Sequence, residues 1–158
     1  MVKPAVMAHW LMKSEPASFS VDDLQGRPRH TEAWDGVRNY QARNFMRQMR
    51  LGDRAFFYHS SCDEPGIAGI MRVVAEAYPD PTQFDPRHHH HDPASKPEEP
   101  RWSLVDMQLE RKLKRVITLA ELRGHEKKLP GFRLLARGAR LSVMPVTPAH
   151  WDYILKLE

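Results

Sequence analysis

Within Trp34-Asp-Gly-Val-Arg-Asn-Tyr-Gln-Ala-Arg-Asn44, two large aromatic rings, two arginines and two asparagines surround a single glycine. That mixture makes a poor hydrophobic core and a good grip on a flat, polar, anionic ligand. The rings of Trp34 and Tyr40 could stack a base as one wall, and the Asn39 amide could both donate to and accept from a base edge. Guanidinium groups could hold phosphate. Each residue also has a plainer use. Trp34 fits a core equally well, and Asn39 is a favoured N-cap for a helix starting at Tyr40. The cap uses only the side-chain oxygen, so both roles of Asn39 are compatible.

Other segments supply similar chemistry. In Lys13-Ser14-Glu15-Pro16, at a strand end, the two-residue period sets Lys13 and Glu15 on one face and Ser14 on the other. Lys13 could meet phosphate and Ser14 a base edge, or the pair Lys13 and Glu15 could simply face water. Tyr58-His59-Ser60-Ser61-Cys62 invites a hydrolase reading, but neighbours on a strand point to opposite faces, so His59 is badly placed to activate Ser60. A base-contacting or structural His59 fits better. Arg140 and Ser142, on a strand expected at about 140–143, could reach one ligand together. Arg27, Arg29, Arg38, Arg43, Arg47 and Arg50 recur around Trp34 and Tyr40 in the manner of a nucleic-acid face, with phosphate contacts from Arg27, Arg29, Arg43 and Arg47. The run His88–His91 is expected to have incidental metal affinity without forming a metal site, because a Pro-rich loop does not fix ligands. No phosphate loop, dinucleotide fingerprint or His-Glu-x-x-His occurs, so neither cofactor nor catalysis is expected.

Positioning these groups requires a fold. A chain of 158 residues with 41% hydrophobic residues reads as one globular domain spanning 1–158. No apolar stretch approaches a membrane span, and the broken apolar run at the start does not read as a signal peptide. One cysteine and a net charge of +4 fit a reducing cytoplasm and an anionic partner. Strands are expected at His9–Ser14, Arg54–His59, Gly66–Ala77, within Arg101–Val116 (one or two) and near Arg140. Helices are expected after caps at Ser20, Asn39, Thr118 and Thr147, with a long surface loop between Tyr78 and Pro100. About six short strands with short helices between them describe an α+β fold, a small mixed barrel.

Six segments, His9–Pro16, Trp34–Arg43, Phe57–Ser60, Gly66–Ile70, Tyr78–Asp80 and Arg140–Val146, resemble the EVE domain in order and spacing. The likeness is to free-standing bacterial EVE proteins and the thymocyte nuclear protein group. It implies a PUA-like fold, distantly related to YTH readers, and binding of a modified base, foremost a modified cytosine in DNA. By that resemblance Lys13, Ser14 and Glu15 line a pocket entrance, and Trp34, Val37, Arg38, Asn39 and Tyr40 supply wall and edge. Tyr58, His59 and Ser60 face them, with Arg140 and Ser142 from the last strand. The partner is then nucleic acid carrying a modified base, with an unnamed effector protein beyond it. Modified RNA or a free nucleotide are the competing ligands. The His88–His91 run departs from the aromatic residues that relatives often carry before the matching Asp-Pro.

Overall fold

The computed structural model describes residues 7–138 and 140–158; the stretch read for a signal peptide falls mostly on residues 1–6, outside them. Six strands, β1 (His9–Ser14), β2 (Thr31–Ala33), β3 (Arg54–His59), β4 (Gly66–Pro79), β5 (Ser103–Thr118) and β6 (Val143–Val146), form one mixed sheet in the order β2-β5-β4-β3-β1-β6. Only β1 and β3 run parallel; every other pairing is antiparallel. The expected mixed six-stranded architecture is present, but the sheet does not close into a barrel. Its two edges are a three-residue strand and a strand interrupted by Pro145, a residue that has no N–H to give a further ladder.

Period-two alternation makes this sheet buried on both faces. On β1, Trp10 and Met12 enter one apolar cluster and Leu11 the other; on β3, Phe57 points opposite to Phe56 and Tyr58. The helices α1 (Val21–Gln25) and α2 (Tyr40–Gln48) cover the first face with Val21, Leu24 and Met46, joined by Met49 just past the end of α2. On the second face, α3 (Leu119–Gly124) and α4 (Pro148–Leu155) contribute Leu122, Trp151 and Ile154. Trp151 stacks on Phe56 with ring centroids 3.9 Å apart.

All four expected caps form. Ser20 closes a capping box with Asp23, Asn39 accepts from Ala42 N, Thr118 from Glu121 N and Thr147 from His150 N. Some bounds differ from expectation. The segment read as one or two strands is a single long strand, β5, which runs on to Thr118, and β4 continues to Pro79, past the expected Ala77. The last strand begins at Val143, so Arg140 and Ser142 precede it and share no strand face. Strand β2 is not legible in the sequence, because three residues are too few for alternation to show.

Asp53 ties the start of β1 to the turn before β3. Its buried carboxylate accepts from Ala8 N at 3.2 Å, Trp10 Nε1 at 3.0 Å and Arg50 N at 3.0 Å. Replacing it strands those donors, and one buried unmade hydrogen bond costs about 1–3 kcal/mol. Asp53→Ala is therefore expected to lower unfolding free energy by at least about 2 kcal/mol, seen in urea titration as a lower midpoint with an unchanged slope.

Candidate functional site

Three segments converge on an open cleft of about 450 Å³ beyond the C-terminal end of β1, a volume within the range of small-ligand sites. Lys13, Ser14, Ser18 and Phe19 come from β1 and the turn after it, Glu32 to Arg38 from β2 and the segment leading to α2, and His88 to His90 from the long loop; Arg27 and Ser142 complete the lining.

The turn after β1 forms because Pro16 ends the strand. Glu15 O accepts from both Ser18 N and Phe19 N at 2.9 Å, and Ser14 Oγ donates to Phe19 O at 2.6 Å. This swings Phe19 back toward Trp34, edge-on at 6.4 Å. Trp34 also meets Phe57 edge-on at 5.4 Å and is only 7% exposed, so it is chiefly core with a narrow strip in the cleft.

A buried carboxylate fixes the next segment. Asp80, 0% exposed, accepts from Gly36 N at 2.8 Å, Arg38 Nη1 at 3.1 Å, Thr82 N at 2.8 Å and Thr82 Oγ1 at 2.6 Å. Burial pushes its pKa up, but the bonds from Thr82, Gly36 and Arg38 outweigh this and hold it below the ordinary carboxylate value. Gly36 has φ 77°, and a Cβ there would collide with the His90 ring, so only glycine lets the imidazole pack against the turn.

Arg38 spends its guanidinium donors within the protein. Nε and Nη2 donate to His90 O, Nη1 to Val37 O and Asp80, and Nη2 also to Thr82 Oγ1. It lines the cleft as a clamp, not as the free base contact expected. The histidine loop is consequently held: Gln83 bridges Asp80 O, Trp102 O and Ser95 Oγ, and Asp92 accepts from Trp102 Nε1 at 2.7 Å. Ligand-capable nitrogens of His88, His89 and His90 lie within 4.8 Å of one another. The Lys13 ammonium is half-buried and has no carboxylate partner among the described residues; burial lowers its pKa.

Of the expected ligand contacts, Lys13, Ser14, Trp34, Val37, Arg38 and Ser142 meet at this cleft. Others do not. Tyr40 is 51% exposed and stacks on Trp102 at 4.8 Å, so Tyr40 and Trp34 form no common wall. Tyr58 points into the second core. His59 Nε2 accepts from Val21 N at 3.1 Å and anchors α1, while Ser60 N donates to Ser14 O; neither lines the cleft. Glu15, Asn39 and Arg140 also lie off the lining. Among the expected phosphate contacts, Arg27 in the cleft is paired with Glu32 at 2.5 Å, exposed Arg29 stands apart from the cleft, and Arg43 and Arg47 belong to a separate groove. The lining also includes Phe19, Asp35 and Gly36, which the sequence reading does not assign to the site, and His90, which it notes only within a histidine run of incidental metal affinity. Pro16 is a signal for the turn that returns Phe19, but only the distant Asp80 explains Gly36 and His90.

The chain is similar over almost its whole length to known proteins. The EVE domain family matches residues 8–157. Human thymocyte nuclear protein 1 is 52% identical over 166 residues, covering 96% of this chain and 74% of that protein. The solved structure of human THYN1 in complex with 5-methylcytosine-containing DNA superposes with a TM-score of 0.91 at 50% identity, covering 95% of this chain and 96% of that one. A Pseudomonas syringae protein superposes with a TM-score of 0.89 at 52% identity, covering 95% and 99%. Such similarity in vertebrates and bacteria alike does not single out a bacterial origin. It also overturns the cytoplasmic expectation, because the human, zebrafish and mouse relatives are named as nuclear proteins. A single cysteine, the basis of that expectation, does not separate cytoplasm from nucleus.

Removing one partner of a buried charge pair costs about 3–5 kcal/mol. Asp80→Ala is expected to lose that much stability by urea titration, with increased hydrogen exchange confined first to residues 35–38 and 80–92. His59 and His90 both titrate below the ordinary 6.5, chiefly through burial, with His90 lowered further by His89. Groups depressed in the folded state stabilise fully above their unfolded pKa, and that contribution is lost as pH falls through the folded value. The urea midpoint should thus fall as pH is lowered from about 6.5, and His59→Asn should show a smaller fall than the unaltered chain.

Proposed function

This chain belongs to the EVE-domain family, and from that premise we propose that it binds DNA carrying a modified cytosine, with the base turned out of the duplex into the cleft beside Lys13 and Phe19. The observation that carries the reading is the likeness to human THYN1, whose solved structure holds 5-methylcytosine-containing DNA. The cleft supplies a chemistry for it. Cytosine presents acceptors and an exocyclic amino donor. The half-buried Lys13 ammonium offers a cation to the acceptors, strengthened by its partial desolvation. The exposed Asp35 carboxylate offers an acceptor to the amino group, a match that uracil or thymine lacks. Phe19, the exposed strip of Trp34 and the imidazoles of His88–His90 give the ring an apolar and aromatic surround.

The role is recognition and not catalysis. Turning a base out costs a few kcal/mol, which contacts to the ring and to phosphate must offset. A buried methyl contributes about 0.8 kcal/mol, or roughly a fourfold preference, so discrimination by methylation alone is modest. In fluorescence anisotropy at several salt concentrations, a duplex with one 5-methylcytosine is expected to bind about threefold to fivefold more tightly than its unmethylated twin. Lys13→Met and Phe19→Ala should erase that preference while leaving salt-dependent binding. Equal affinity of the unaltered protein for both duplexes at every salt concentration refutes the reading, and tighter binding of matched methylated RNA would transfer it to RNA.

A further inference from the structure

Beside the cleft lies a second concavity, a groove of about 590 Å³ whose charged lining is Arg43, Arg47, Lys96, Arg101 and Glu99. Four cations face one carboxylate. None of the four forms an ion pair among the described residues. Arg43 Nη1 donates to Arg101 O at 2.8 Å, and Arg47 Nη2 approaches Pro100 O and Arg101 O at 3.4 Å. Carbonyl oxygens orient these guanidinium groups without neutralising them, so the groove keeps its positive charge in fixed positions. Arg47 Nε is further held by Ser103 Oγ at 3.0 Å. Like charges this close repel, and burial together with Arg47 lowers the Arg43 pKa. An anion in the groove would relieve that repulsion.

The groove is joined to the cleft by a strip of stacked side chains. The cleft's Arg38 lies 5.6 Å from the Trp102 ring, Trp102 stacks on Tyr40 at 4.8 Å, and Arg43 covers Tyr40 at 4.7 Å. We propose that this groove is a docking site for the phosphodiester backbone of the strand whose base enters the cleft, giving affinity that is blind to modification. The inference rests on the function proposed above and divides the labour: the cleft discriminates and the groove holds. A repeating anion is the occupant that four convergent cations fit, and the aromatic strip gives the strand a continuous path from one subsite to the other.

Lys96 and Arg101 are exposed, and their side chains make no hydrogen bond among the described residues, so Lys96→Ala/Arg101→Ala leaves the fold intact. The test is fluorescence anisotropy of labelled duplexes, with and without one 5-methylcytosine, across a salt series. Lys127→Ala/Lys128→Ala, removing equal charge elsewhere, is the control. The expected result is weaker binding of both duplexes by the groove variant only, a salt dependence shallower by about 0.9 for each phosphate no longer neutralised, and an unchanged ratio between duplexes. Unchanged affinity and slope, or equal weakening by the control, overturns the groove. A ratio that collapses in the groove variant overturns the division of labour. If the unaltered protein shows no preference yet the slope changes as expected, the groove stands and the reading of the cleft fails.

Discussion

The site depends on one buried carboxylate. Asp80 lies in the interior with four bonds converging on it, and two of them come from the segment that lines the cleft. Without Asp80, Gly36 N and Arg38 lose the acceptor that fixes their turn, and the guanidinium that clamps the histidine loop through His90 O loses its counter-charge. A charge is costly to bury and is tolerated where its bonds are complete. Here that completeness joins two segments far apart along the chain into one rigid wall.

The sheet explains why this wall stands where it does. Because both faces of its central strands are covered, the cleft opens at strand ends and between loops. The parallel pairing of β1 with β3 brings Ser14 beside His59, and His59 in turn anchors α1. The end of β1, the turn carrying Phe19 and the β2 segment are thereby gathered at one corner. Lys13 is placed at that corner by strand geometry and is partly dehydrated by its neighbours.

Chemistry is legible in the sequence to the extent that it is local. Ser20, Asn39, Thr118 and Thr147 announce four helix starts, since a cap bonds within three residues of itself. Short continuous apolar runs, Trp10–Met12 and Ala55–Tyr58, mark β1 and β3. The same local logic over-interprets Arg38 and Tyr40, whose partners, Asp80 and Trp102, lie 42 and 62 residues away along the chain. An arginine suited to phosphate and one suited to a buried aspartate look alike until the fold places the partner. The loop of 80–100 reads as loose from its prolines and histidines, yet Gln83, Asp92 and Trp102 fasten it by bonds that no pattern of residue types foretells. Closure of the sheet is likewise hidden, because it turns on how short β2 is and on Pro145 within β6.

In the proposed mode of binding a cytosine leaves the duplex to enter the cleft. Steady-state fluorescence of 2-aminopurine placed next to the 5-methylcytosine tests it most directly, because that probe brightens when its neighbour unstacks. The account predicts a rise in emission on saturation with the protein, and little rise with Phe19→Ala at equal occupancy. Unchanged emission with the protein fully bound would mean that the base stays in the stack, and would contradict the account.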